Sequence, residues 1–172
     1  MYGMIHVYCG DGKGKTSAAI GLAIRAAGAG KKVLFSQFLK DGSSSELKIL
    51  RGIEQISIVN CKTVSGFYCN MTAEERERAA KDYSEMLEEI LSVSDKFDLL
   101  ILDEVISACN NSIVDERELC RFLQDKPKSL EVVLTGRNPS KELLALADYA
   151  TEMQKLKHPY DKGVLARLGI EF

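Results

Sequence analysis

The chain of 172 residues has no tryptophan, only two histidines, and no apolar run near the ~20 residues that a membrane-spanning helix requires. Met1-Tyr2-Gly3-Met4 lacks the basic and apolar segments of a secretory leader. There is no long basic block either: 23 Lys and Arg stand against 25 Asp and Glu, for a formal net charge of −2. Nucleic acid, whose phosphate backbone calls for a basic stripe, is therefore not an expected partner, and neither is a membrane. The five cysteines (Cys9, Cys61, Cys69, Cys109 and Cys120) are odd in number and contain no C-x-x-C pair. That argues against a disulfide framework and against a zinc site. Reduced thiols fit a cytoplasmic protein.

What is present is ordinary globular material, 45% hydrophobic and 28% charged, in a length that suits one domain covering residues 1–172. Apolar runs alternate with helical stretches. Strands are expected over residues 5–9, 33–38, 55–60, 99–102 and 130–135. A helix rich in Ala, Ile and Leu is expected over residues 16–29, closed by Gly28 and Gly30. Thr72 with Glu75 forms a capping-box pattern that opens a long helix, on which Tyr83, Met86, Leu87, Ile90 and Leu91 recur at helical spacing. Asp115 with Glu118 suggests another cap. Pro139 suits the first turn of a helix running to about Leu146. Residues 61–71 read as a loop, and the stretch from Tyr149 onward is weakly patterned. Strands alternating with helices predict an α/β fold, a three-layer sandwich around a mostly parallel sheet. Continuous apolar strands support burial on both faces.

Gly10-Asp11-Gly12-Lys13-Gly14-Lys15-Thr16 lies between the first strand and the first helix, the context of a phosphate-binding loop. Its N–H groups can form an anion nest at the positive end of a helix. Lys15 supplies a mobile positive charge, and the Thr16 hydroxyl can ligate Mg²⁺. The expected ligand is a nucleoside triphosphate, ATP first. The spacing departs from G-x-x-x-x-G-K-[ST]: Cys9 stands where the first glycine belongs, and Gly10 comes one residue late. A second element, the apolar strand ending at Asp103-Glu104, is the usual partner of such a loop, because the metal needs oxygen ligands opposite the threonine. Spacing does not decide between the two acids.

These residues resemble the ATP:corrinoid adenosyltransferases of the P-loop type. The resemblance rests on the glycine-rich loop, Q-F-L-K at residues 37–40, L-D-E at 102–104, T-G-R-N at 135–138, A-D-Y-A-T-E-M at 147–153 and K-H-P-Y-D-K-G with the ending G-I-E-F. It runs in order over nearly the whole chain. It implies a RecA-like fold, a homodimer, ATP with Mg²⁺ or Mn²⁺, and a reduced corrinoid: cobalamin, cobinamide or cobyrinic acid a,c-diamide. A flavoprotein is the implied source of electrons. The late first glycine is the family's own variant of the loop. The family also binds ATP in a reversed sense, with the α-phosphate region where other such proteins hold the γ-phosphate. Co(I) attacks the 5′ carbon, triphosphate leaves, and charge-stabilising groups belong where that charge grows.

Carried over by position, Gly10, Asp11, Gly12, Lys13, Gly14, Lys15, Thr16, Ser17 and Arg25 bind ATP, with Lys15 and Thr16 catalytic. Thr16 and Glu104, with Asp103 beside it, are the implied metal ligands. Arg137 and Asn138 follow a strand end, where ligands of parallel sheets collect; Asn138 is read first as a helix cap. The family shields the lower corrin face with aromatics, which match here at Phe67 and Cys69; Tyr68 is adjacent, and no tryptophan is present to fill the second place. The chain starts almost directly at the first strand, which leaves no room for the extra N-terminal helix of some members and implies a more open site. His6 is expected to pack in the first strand, and His158 falls in the K-H-P match. Two other readings stay open: an ATPase or kinase using the loop for γ-phosphoryl transfer, and a nucleotide-dependent corrinoid-binding module without turnover.

Overall fold

In a computed structural model of the chain, residues 2–61 and 71–171 are described. Six parallel strands form one sheet in the order β3-β2-β4-β5-β1-β6. They are β1 (Ile5–Cys9), β2 (Val33–Gln37), β3 (Ile56–Asn60), β4 (Leu99–Asp103), β5 (Glu131–Thr135) and β6 (Tyr149–Glu152). The helices are α1 (Lys15–Gly28), α2 (Ser45–Leu50), α3 (Ala73–Val93), α4 (Val105–Asn110), α5 (Glu116–Asp125) and α6 (Lys141–Leu146). Parallel strands need crossovers, and the helices supply them.

Alternation along the continuous apolar strands divides the core in two. Leu100 and Leu102 face one side of the sheet, where Tyr83, Leu87 and Ile90 of α3 pack with residues of α4, α5 and α6. Leu99 and Ile101 face the other, against α1 and α2. On that second side α1 buries Ala19, Ala23, Ala26 and Ala27, whose small side chains let the helix lie close over β1, β4 and β5. Helix and loop therefore meet the sheet near its middle strands.

Local chemistry sets the helix starts. Thr72 and Glu75 form the full capping box: the Thr72 N–H donates to Glu75 at 2.7 Å, and the Glu75 N–H donates to the Thr72 hydroxyl at 3.3 Å. Asp115 caps α5 by accepting the Arg117 N–H at 2.9 Å, a bond in which Glu118 has no share. The last helix is capped by Ser140, which accepts the Leu143 N–H at 3.0 Å. Pro139 thus lies outside the helix, and Asn138 is not its cap; Asn138 instead takes φ 49 in the turn that leaves β5. The stretch from Tyr149, weakly patterned in sequence, opens with the sixth strand. All four of its residues are exposed, and it is held by backbone pairing to β1. Two helices of six residues, α2 and α4, also went unforeseen.

His6 packs as expected. Its Nε2 lies 2.6 Å from Glu131, and its ring stacks on Tyr149 at 4.6 Å.

Candidate active site

Strand β1 runs through Cys9, whose carbonyl accepts the Met153 N–H at 2.8 Å. The residue at the usual first-glycine position is therefore still strand, and the turn begins at Gly10. Gly12 comes next, with its N–H donating to the Met153 carbonyl at 2.6 Å. A Cβ on Gly12 would stand 2.6 Å from that same carbonyl oxygen, so only glycine fits between loop and tail. Gly14 is the N-cap of α1, and no side chain caps that helix. Its first-turn N–H groups are open to an anion.

Lys15 is 7% exposed and folds back over the loop, donating to the carbonyls of Gly10 at 2.7 Å and Gly12 at 2.9 Å. Burial pulls its pKa below the ordinary lysine value, while the nearby carboxylate of Glu104 pulls the other way. The ammonium is thus held beside the loop with modest neutral partners, ready to exchange carbonyl oxygens for phosphate oxygens.

The acids at the end of β4 have opposite fates. Asp103 is fully buried and completely engaged. One carboxylate oxygen accepts the hydroxyls of Thr16 at 2.8 Å and Thr135 at 2.7 Å. The other accepts Gln37 at 3.2 Å and Lys40 at 3.1 Å. Glu104 has φ 60, which breaks the strand and turns its side chain into the cavity. Its backbone N–H is fixed by the Thr135 hydroxyl at 2.8 Å, and its carboxylate accepts Ser107 at 2.7 Å. Gly136, with φ 149, lets the end of β5 pass against α4; a Cβ there would meet the backbone N of Ser107 at 2.7 Å. Ser107 is pinned between this turn and Glu104, since it also accepts the Arg137 N–H at 3.3 Å.

Together these elements enclose a cavity of about 490 Å³. Its lining includes the loop residues Asp11 to Ser17, Glu104, Lys40 and Arg137. Arg137 reaches back to Asp11 at 3.3 Å. Ile20 and Ile49 add apolar wall. The donor set of hydroxyl and carboxylate oxygens suits a hard divalent cation between Thr16 and Glu104. Asp103, with both oxygens occupied, orients Thr16 from behind.

The structure brings together Asp11 to Ser17, Asp103 and Glu104, and Gly10 joins through its carbonyl. It does not bring Arg25. That residue is exposed in the last turn of α1, about 14 Å along the axis from Thr16, and it is not part of the cavity lining. Phe67, Tyr68 and Cys69 lie outside the described residues. Thr135, Lys40, Gln37, Ser107 and His158 form or support the site without having been singled out as ligands. The signal available for Thr135 and Gln37 was their place at the C-terminal ends of parallel strands, where ligands of such sheets bind.

Comparison with known proteins extends over the whole chain. The sequence-family model described as ATP:corrinoid adenosyltransferase BtuR/CobO/CobP matches residues 1–172. A corrinoid adenosyltransferase of Escherichia coli strain K12 is 33% identical over 171 residues, covering 99% of this chain and 86% of that protein. Corrinoid adenosyltransferase CobA of Salmonella typhimurium strain LT2 is 32% identical over 175 residues, covering 99% and 86%. Among solved structures, ATPases 2 and 3 of EssC from Geobacillus thermodenitrificans superpose with a TM-score of 0.57 at 12% identity. That likeness covers 97% of this chain and 35% of the other, and it is one of fold.

Proposed function

The chain belongs to the ATP:corrinoid adenosyltransferase family and so transfers the adenosyl group of ATP to a corrinoid; from that premise we propose how its own residues do it. The triphosphate lies on residues 10–17, and the nucleophile is the Co(I) of the reduced corrinoid. Its electron pair forms the Co–C5′ bond while the C5′–O bond breaks, and that oxygen leaves with triphosphate. Negative charge therefore grows at the α-phosphate oxygen. The open N–H groups at the start of α1 meet that charge, and the ammonium of Lys15 joins them by exchanging the carbonyls of Gly10 and Gly12 for phosphate oxygens.

Thr16 and Glu104 would hold Mg²⁺ or Mn²⁺, which would neutralise the leaving triphosphate. The observation that carries this assignment is the division of labour at residues 103 and 104. Asp103 is saturated by four donors and aims the Thr16 hydroxyl, while Glu104 turns into the cavity. Arg137 completes the positive rim. Arg25 can serve as a nucleotide contact only for a part of ATP that extends out of this cavity along α1.

Phe67, with Tyr68 and Cys69, is proposed to meet the lower face of the corrin, on the strength of the family resemblance. The same resemblance supports a homodimer, a flavoprotein reductant and a cytoplasmic setting. Cys9, Cys109 and Cys120 are free thiols, in keeping with that setting, and none of the described helices is long and apolar enough to cross a membrane.

Product analysis tests the reading. The protein is supplied with ATP, Mg²⁺ and chemically reduced cobalamin. Adenosylcobalamin with stoichiometric triphosphate is the expected result. ADP would indicate γ-phosphoryl transfer, and tight binding without product would indicate a carrier or regulator; either outcome overturns the reading. The four-coordinate Co(II) signal with ATP, compared between wild type and Phe67→Ala, tests the corrin contact.

A further inference from the structure

Beyond β6 the chain doubles back to the phosphate loop. A single-turn 3-10 helix, Pro159–Lys162, is capped by His158, whose Nδ1 accepts the Tyr160 N–H at 3.2 Å. The chain then returns, and Lys13 of the loop donates to the Ile170 carbonyl at 2.9 Å and to the Glu171 carboxylate at 3.1 Å. Glu171 is also gripped by Arg167, through its backbone N–H at 2.8 Å, Nε at 3.1 Å and Nη2 at 2.9 Å. These bonds hold the Glu171 carboxyl down at about 2. Gly169, Ile170 and Glu171, together with His158, line the same cavity as Lys15, Thr16 and Glu104.

We propose that residues 169–171 are a wall of the ATP site, latched to the phosphate loop through Lys13 and Glu171, and that they stay closed over bound nucleotide. The proposal rests on the reading that triphosphate occupies the loop. Three observations favour a wall over a plug. The cavity keeps about 490 Å³ with the segment in place, within the roughly 300–1,000 Å³ of small-molecule sites. Glu171 engages Lys13 and leaves Lys15 and the helix N-terminus untouched. Its negative charge is matched by two cations, Arg167 and Lys13, so it presents little net repulsion to a triphosphate. Ile170 adds apolar surface to a wall that also contains Ile20 and Ile49.

Nucleotide in the cavity would then rest against the segment and slow its opening. Arg167 is 58% exposed, so the Arg167–Leu168 bond is a site for trypsin when the segment lifts. The test is limited trypsin digestion of the full chain with and without ATP and Mg²⁺, following release of residues 168–172 by mass, with ATP affinity measured in parallel by calorimetry. Slower release with ATP is the expected result. Unchanged release, or release accelerated as a displaced plug would give, overturns the wall while leaving ATP binding to the loop intact. Failure of ATP to bind at all would instead sink the reading of the loop. As a second measure, Glu171→Gln is expected to weaken ATP about threefold, the size of one exposed ion pair. Removal of residues 169–172 is expected to weaken it further, with the corrinoid KM unchanged. Wild-type ATP affinity in both variants would overturn the proposal.

Discussion

Thr16 and Asp103 are bonded at 2.8 Å although 87 residues separate them in sequence. That bond ties the first helix to the fourth strand at the point where the cavity opens. It has a simple weakness. An amide at position 103 could still accept from Thr16 and Thr135 on one side, but its NH2 would face the donors of Gln37 and Lys40 on the other. Asp103→Asn should therefore cost about 2–3 kcal/mol, the scale of hydrogen bonds to a charged group, and should lower turnover as the clash with Gln37 and Lys40 pushes the side chain, and Thr16 with it, out of place. Urea unfolding and adenosylation rates check both. Wild-type stability would mean that the Lys40 and Gln37 contacts contribute nothing.

Lys15→Ala should lower kcat by roughly 10²-fold, as loss of one charge-stabilising donor does elsewhere. The pH dependence of stability gives an independent readout. Because burial depresses the pKa of Lys15 in the folded protein, the unfolded chain binds the extra proton between that lowered value and the ordinary 10.5. Stability contributed by this group therefore rises with pH through that window and levels off above 10.5. Parallel urea titrations should find wild type gaining on Lys15→Met as pH climbs through the lysine range. A difference that stays flat would place the ammonium in a solvated position.

Glycines 12 and 21 should respond to alanine in opposite directions. At Gly12 the added Cβ meets backbone atoms of Met153 and Gln154 between 2.6 and 2.9 Å, which cannot give way cheaply. Gly12→Ala should destabilise by about 1–3 kcal/mol and weaken ATP binding. At Gly21, exposed inside α1, nothing stands within 4 Å. Gly21→Ala should stabilise by roughly 0.5–1 kcal/mol. Thermal unfolding and calorimetric ATP titration of the pair make the comparison.

Far from the cavity, Thr72→Ala removes half of the capping box of α3. The expected loss is about 1 kcal/mol in urea, with ATP affinity unchanged because Thr72 is no part of the cavity lining. A larger effect on ATP than on stability would tie this helix start to the site.

Five strands were legible because each carries an apolar run bounded by polar residues, continuous and fully buried at β4 and mixed with polar or half-buried positions at β1 and β3. The sixth was not. Tyr149-Ala150-Thr151-Glu152 is exposed throughout and owes its existence to the backbone of β1, which no side-chain pattern encodes. Helices α2 and α4, at six residues, are too short to establish a period. In the site, the loop's place between strand and helix was readable, and the late glycine has a plain cause in a strand that persists through Cys9. Which of Asp103 and Glu104 faces the cavity was not readable, because it turns on one backbone angle at residue 104. Lys40 was hidden for the same reason: it reaches Asp103 only after Leu39 takes φ 61. Arg25 shows the converse limit. Its place on the loop's own helix is real, but the helix carries it away from the cavity.

The pairing of Gly12 with Met153 sets a schedule for the living chain. The loop at residues 10–16 emerges from the ribosome well before the backbone that braces it at Met153 and the residues 169–171 that line its cavity. Contacts this distant in sequence form slowly and late. A growing chain thus carries a phosphate-binding sequence long before it has a finished pocket, and nucleotide begins to stabilise the fold only once those distant residues have joined it.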